Sequence, residues 1–258
     1  MISSENEPSS ENIIDSDFTI EHYCKLLHLA VENYTVSTYA KIPWGSKFII
    51  WRHDLDCSLN RGLSLAKEEK DAGVKATYFL NPHSGFYNLA EANQHRIIHS
   101  IIELGHDIGL HFDSAFFEVN SGAQLNDFVS YEADYLERLF HVRPTAFSFH
   151  DPVEENLSYD SDHYGGLVNC YSKRFKEEVS YVSDSNGYWR YRRLWDVLQK
   201  SQDSCLQVLT HPVWWQEKPM PPRQRIFRSV YGRAKATIKL SDIGIESSKR
   251  INQSGKSN

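Results

Sequence analysis

The sequence predicts an α/β protein built on a parallel sheet, and three observations lead there. Short apolar runs of strand length alternate with amphipathic stretches of helical length. The first clear run, Phe48-Ile49-Ile50-Trp51, is apolar throughout, as a strand covered on both faces would be. This run and four later strand-like runs end in His or Asp, and in parallel α/β sheets the chemistry gathers at the carboxyl ends of the strands.

Taken in order, Ile20 to Tyr34 has apolar residues at helical spacing and reads as a preliminary helix. Phe48 to Trp51 is the first strand. Ser58 caps a helix through Leu59, Leu63 and Ala66 that stops at Gly73. Ala76 to Leu80 is the second strand, ended by Asn81-Pro82. Asn93 to Leu104 is a helix stopped at Gly105, and Asp107 to Phe112 is a third strand with His111 near its end. Leu125 to Phe140 is a long amphipathic helix. Ala146 to Phe149 is a fourth strand ending in His150-Asp151-Pro152, followed by an Asn-, Ser-, Tyr- and Gly-rich segment expected to be a long loop. Glu178 to Ser183 reads as a short strand leading to Asp184, Leu194 to Gln199 as a helix, and Leu206 to Leu209 as the last strand, delivering His211-Pro212.

At 258 residues the chain is long enough for a sizeable core. No apolar run is long enough to span a bilayer. Residues 1–17 are rich in Ser, Glu and Asn, unlike a signal peptide, and are expected to form a disordered tail. Residues 18–230 are expected to form the folded domain and 231–258 a basic polar tail. Charge is uneven: residues 218–258 carry 10 Lys and Arg against 2 acids, in a chain of net charge −6. That end of the chain suits a fold-back onto an acidic body, plain solvation or peripheral contact with an acidic membrane surface; nucleic acid is not an expected partner. The four cysteines, Cys24, Cys57, Cys170 and Cys205, show no C-x-x-C spacing and read as free thiols in a reducing compartment. Cys57 follows Asp56 and is expected near any site there, as a small packing residue.

The stretch Arg52-His53-Asp54-Leu55-Asp56 organises the rest. Strand side chains alternate faces, so Arg52, Asp54 and Asp56 point one way and His53 and Leu55 the other. Two acids on one face repel unless a cation or a shared proton lies between them. With His111, His150, Asp184 and His211, five strand ends deliver metal-ligand or acid–base side chains to one rim. His106, at the start of its strand, is expected to be structural. His83, after the second strand, is placed where it could touch a substrate.

The motifs Arg-His-Asp-Leu-Asp, Lys-Ala-Thr-Tyr-Phe-Leu and Glu-Leu-Gly-His-Asp-Ile-Gly-Leu-His, in this order, resemble the polysaccharide deacetylase (NodB-homology) superfamily. Ser-Phe-His-Asp-Pro, Ser-Asp-Ser-Asn-Gly-Tyr-Trp-Arg and Leu-Thr-His-Pro-Val-Trp-Trp are similar to later motifs of its intracellular branch, associated with bacterial surface-polysaccharide (O-antigen or capsule) biosynthesis. The resemblance covers about Phe48 to Trp215. It implies a distorted (β/α)7-type barrel of parallel strands with outer helices, and metal-dependent removal of an acyl group from a sugar.

Carried over by motif, the resemblance makes Asp54 the general base, Asp56 and His111 metal ligands, and His211 the proton donor to the leaving group. Asp184 and Trp189 are implied to orient His211 and wall the pocket, with Arg52, Phe149 and Trp214 supporting. Two departures stand out. Leu55 separates the two acids, so their roles are open to exchange. The position of the usual second metal histidine is Ala115. The third ligand is then expected from His150, Asp113, His53 or water. His150 is preferred because it ends the strand following that of His111; Asp113 serves alternatively to orient His111.

The chemistry expected is hydrolysis of an N-acetyl or N-formyl group with a divalent metal as Lewis acid. Zinc is the expected ion, with nickel, cobalt and manganese as alternatives. A cytoplasmic location and a nucleotide-linked or lipid-linked acylated sugar are expected. The rival readings are a non-catalytic glycan-binding protein on the same barrel and a metal-independent amidohydrolase using the acid pair alone.

Overall fold

A computed structural model describes residues 15–252. Its centre is a curled sheet in which seven strands run parallel, in the order β7 (Leu167–Asn169), β5 (Ala146–Phe149), β4 (Asp107–Phe112), β3 (Thr77–Leu80), β2 (Phe48–Asp54), β9 (Cys205–Thr210) and β8 (Ser180–Ser183). Two short strands extend it. β1 (Thr35–Ser37) pairs with the amino half of β2, and β6 (His163–Tyr164) forms an antiparallel hairpin with β7. The helices α1 (Ile20–Asn33), α2 (Leu59–Asp71), α3 (Ala92–Glu103), α4 (Gly122–Phe140) and α7 (Leu194–Lys200) cover the outside, so the seven-strand barrel-type α/β architecture expected from the sequence is present.

Alternation along β2 decides what lies inside and outside the curl. Ile49, Trp51 and Leu55 belong to the large outer core under the helices. Phe48 and Ile50 belong to a smaller inner core with Tyr39, Phe79, Ala146, Cys170 and Phe175. Arg52 and Asp54 continue the inner row. His53 turns outward and lies wholly buried beside Glu69 of α2 and Tyr23 of α1. The inner face is tight at Gly109 of β4: a Cβ there would stand 2.7 Å from the Phe79 ring. Only glycine lets β4 present its flat backbone to that aromatic.

The helices begin where polar caps precede apolar periodicity. Ser58 and Ser121 each accept an N–H from the first turn of α2 and α4. His106 accepts the Ala76 N–H through Nδ1 and places Nε2 2.9 Å from the Ala66 carbonyl, joining α2 to β3 and β4 as a structural residue.

Three segments differ from the sequence reading. The expected loop after His150 contains α5 (Glu154–Ser158), the β6–β7 hairpin and α6 (Lys173–Glu178); each is too short to show a period. Residues 1–14 lie outside the described residues, and residues 15–17, expected within the tail, belong to a short 3₁₀ turn, Asp15–Phe18. Asp17 is buried there and bonded through both oxygens to Arg193. The basic end is not a tail as far as Ser247: α8 (Pro222–Ser247) is one helix of 26 residues, and the expected boundary at 230 falls inside it. Arg225 and Arg233 anchor its first half to Asp15 and Glu91. No helix among the described residues is long and apolar enough to cross a membrane.

Candidate metal and acid–base site

The carboxyl ends of β2, β4, β5, β8 and β9 open into one pocket of about 500 Å³. β2, β4, β5 and β9 contribute at inward-facing positions, whereas Asp184, one residue past the inward Ser183 of β8, falls in register with the outward row and reaches the site through His211. β2 supplies Asp54 and, two residues on, Asp56. β4 supplies His111. The chain leaving β5 supplies His150, kept in register because its N–H still bonds the Phe112 carbonyl at 2.8 Å. β8 delivers Asp184, and β9 delivers His211.

Three of these side chains converge. His111 Nε2 lies 3.0 Å from Asp56 Oδ1, His150 Nδ1 lies 3.5 Å from the same oxygen, and the two nitrogens are 3.2 Å apart. Donors about 2.0–2.1 Å from a tetrahedral zinc stand about 3.3–3.4 Å from one another, so this triangle has the size of one coordination face. Asp56 Oδ1 is buried and lacks a hydrogen-bond partner of good geometry. A cation in front of it would meet that deficit, and two imidazoles with one carboxylate form a donor set that suits zinc. Burial raises the proton affinity of Asp56, but the imidazoles of His111 and His150 outweigh it and hold the carboxyl far below its usual range. The nearby Asp56 carboxylate, opposed by burial, lifts His150 to about 8.

Asp54 stands beside this triangle rather than in it. Arg52, fully buried, donates from Nη2 to Asp54 Oδ2 at 3.1 Å and to the Tyr171 hydroxyl at 3.0 Å. The Arg52 guanidinium also lies over the Phe79 and Tyr171 rings. The nearest approach of Asp54 to the histidines is 3.8 Å, from Oδ2 to His111 Nδ1. The residue that engages His111 Nδ1 is Ser148, whose Oγ is 2.8 Å away. The serine hydroxyl is directed in turn at Asp54 Oδ1, 3.5 Å distant. With the proton on Nδ1, His111 presents its Nε2 lone pair to the triangle, which is how an outer partner fixes a ligand tautomer.

On the opposite side Asp184, fully buried, grips His211. Its Oδ1 accepts the His211 backbone N–H at 2.9 Å and lies 2.6 Å from the ring Nδ1. Its Oδ2 accepts the Trp215 indole N–H at 3.0 Å. The ring Nε2 is thereby aimed at the site, 3.6 Å from Asp56 Oδ2. Burial pushes the His211 pKa down, but Asp184 more than offsets this and lifts it to about 9.

Several expected site residues fall elsewhere. Trp189 does not line the pocket; it stacks on Phe18 at 5.4 Å and meets Trp215 edge-on, supporting the Asp184–Trp215 bond from behind. Its neighbour Arg190 lines the pocket, as do Tyr191 and Trp214. Asp113 accepts the Ala115 N–H in the turn after β4 and lies outside the Asp56–His111–His150 triangle, as does Ala115. His83 is not in the pocket lining; its Nε2 is 2.5 Å from Glu132 and its ring stacks on Phe116, because the Asn81-Pro82 turn swings it toward α4. Cys57 faces a different cavity, beside α8, and burial pushes its thiol up to about 12. The sequence reading missed Ser148, Tyr171 and Trp215. Ser148 was within reach, since alternation puts Ala146, Ser148 and His150 on one face; Tyr171 and Trp215 carried no such signal.

No protein-family model matches the chain, and no curated protein sequence matches it. Solved structures do match at low identity. The chitin deacetylase of the fungal pathogen Colletotrichum lindemuthianum is 12% identical, over 72% of this chain and 81% of that one, with a TM-score of 0.39. The peptidoglycan deacetylase PdaC of Bacillus subtilis is 12% identical, over 80% of this chain and 99% of that one, at 0.40. The Streptococcus pyogenes deacetylase PplD, in complex with acetate, is 14% identical, over 87% of this chain and 93% of that one, at 0.42.

Proposed function

We propose that this protein is a metal-dependent hydrolase that removes an N-acyl group, acetyl or formyl, from a sugar used in cell-surface polysaccharide biosynthesis. The observation that carries the proposal is the triangle of Asp56 Oδ1, His111 Nε2 and His150 Nδ1, with edges of 3.0, 3.2 and 3.5 Å, facing the Asp184-held imidazole of His211. The sequence motifs add the sugar-deacetylase reading. The substrate class proposed with it is a nucleotide-linked or lipid-linked acylated sugar met in the cytoplasm.

Asp56, His111 and His150 would hold the cation. When bound, a divalent ion there would polarise the acyl carbonyl and acidify a water molecule. Asp54 would accept a proton from the attacking water; the charge of Arg52 and the Ser148 hydroxyl keep its carboxylate in place. His211, protonated because Asp184 lies behind it, would give its Nε2 proton to the departing amine as the C–N bond breaks. The products are a free amino sugar and the carboxylate of the acyl group. Tyr171, Tyr181, Tyr191 and Trp214 give the pocket flat apolar walls on which a sugar ring can lie.

The test is to purify the chain, measure bound metal by elemental analysis, and follow release of acetate or formate from acylated amino sugars. Metal bound in a stable ratio and lost on chelation, together with metal-dependent release, supports the proposal. A protein that takes up no zinc, nickel, cobalt or manganese but binds glycans would support the non-catalytic reading.

A further inference from the structure

We infer that a second cavity, behind the Asp56–Ser58 turn, binds the phosphate group of a phosphorylated small molecule. It measures about 280 Å³ and lies between the start of α2 and the first half of α8. Its lining residues differ entirely from those of the candidate metal site.

The cavity faces four arginines: Arg61 from α2, and Arg225, Arg228 and Arg233 from α8. The α8 residues lining it fall at 225, 228, 229, 232, 233 and 236, one stripe of the helix. A helix normally turns an apolar stripe toward the body it covers. Here the stripe alternates arginines with Ser229, Gly232 and Ala236, and a Cβ added at Gly232 would meet nothing within 4 Å. The arrangement keeps charge and open space together.

The charges are incompletely met. Arg233 is paired with Glu91, and Arg225 with Asp15. Arg61 approaches Glu217 only at 4.0 Å, and Arg228 bonds the neutral side chain of Gln216. Arg225 is 1% exposed, yet its Nη1 has no hydrogen-bond partner, and neither has the buried Nε of Arg61. Buried guanidinium N–H groups left unpaired are costly. The amino end of α2, capped by Ser58, adds N–H groups without intrahelical partners and the positive end of the helix dipole. Several guanidinium forks with a helix amino end are the chemistry that holds phosphate oxygens. Phe86, 40% exposed at the rim, offers a flat surface for the organic part of such a ligand.

Inorganic pyrophosphate is the probe, titrated calorimetrically into the full-length protein, with acetate as a competing carboxylate. Saturable binding that acetate does not displace is expected. It should weaken at least tenfold in Arg228→Glu and measurably in the milder Arg228→Gln. It should be unchanged in Lys239→Gln, on an exposed part of the same helix away from the cavity, and in Asp56→Asn. The last control keeps this inference independent of the metal site, because binding is read without turnover. No saturable binding, equal loss in the Arg228 and Lys239 variants, or loss in Asp56→Asn would overturn it. The source of the phosphate follows from kinetics. If the phosphate belongs to the substrate, Arg228→Gln raises KM for a diphosphate-linked acyl sugar but not for the free sugar. If it belongs to a separate ligand, pyrophosphate alters the turnover of both alike.

Discussion

Asp184 holds His211 through two donors on one oxygen: the backbone N–H at 2.9 Å and the ring Nδ1 at 2.6 Å both meet Oδ1. One carboxylate thus fixes where the strand end lies and which way its imidazole turns. Because Asp184 is fully buried, water cannot replace it.

His211→Ala is therefore expected to lower turnover by at least ~10²-fold, the usual scale for a general acid. Asp184→Asn should lose a large part of the same factor, since an amide cannot favour the charged imidazole. Both variants should retain metal. The check is initial rates on an acylated amino sugar alongside elemental analysis; loss of metal in either would move His211 into the ligand set.

The triangle predicts a ranking of metal affinities. Asp56→Asn and His150→Ala should each weaken binding by well over ~10-fold, more than an outer-partner change at the low end of its range. Ser148→Ala, which frees His111 Nδ1, should fall within the ~10–100-fold range of such partners. Asp113→Ala should leave affinity unchanged. Competition with a chromophoric chelator reads all four, and a large loss in Asp113→Ala would replace His150 by Asp113.

Asp54→Asn separates base from ligand. Asp54 stands 3.8 Å from His111 at its nearest and outside the Asp56–His111–His150 group. Turnover should be abolished while bound metal stays at the wild-type ratio. Loss of metal in Asp54→Asn, with Asp56→Asn keeping its metal but losing turnover, would show that Leu55 has exchanged the two acids.

Glu69 gives a prediction about acid stability. It is buried, accepts hydrogen bonds from Tyr23 and Tyr78, and faces His53 at 2.5 Å. Burial would raise its pKa, but His53 and these bonds hold it below its ordinary 4.5, while burial chiefly holds His106 below 6.5. In both cases the unfolded chain binds the extra proton first, so stability falls as pH drops below 6.5 and further below 4.5. Glu69→Gln should cost about 1–3 kcal/mol at neutral pH and flatten the acid limb. Denaturant midpoints measured across pH decide it, and an unchanged slope below 4.5 would remove Glu69 as the cause.

Gly109→Ala tests the inner face of the sheet. The added methyl would press on the Phe79 ring from 2.7 Å, and overpacking of this kind costs about 1–3 kcal/mol. Since Phe79 supports Arg52, turnover should fall together with the unfolding midpoint. A variant as stable as wild type would mean that Phe79 can turn aside.

The sequence by itself determined the strands, their direction and the face on which their terminal side chains point, because those depend on local periodicity. Alternation from Phe48 to Asp56 separated Asp54 and Asp56 from His53, and the apolar runs placed His111, His150, Asp184 and His211 at strand ends. The choice among His150, Asp113 and His53 remained open there. Only the tertiary structure groups His150 with His111 and Asp56, through the β4–β5 ladder that carries the His150 nitrogen to 3.2 Å from that of His111. It also placed Trp189 behind the site, paired His83 with Glu132, and made the basic end of the chain a helix. Such outcomes depend on partners far away in sequence: His211 with Asp184, Trp189 with Phe18, Arg225 with Asp15. A period of two or 3.6 residues says which way a side chain points. What it meets there is set by the curl of the sheet and the packing of distant elements.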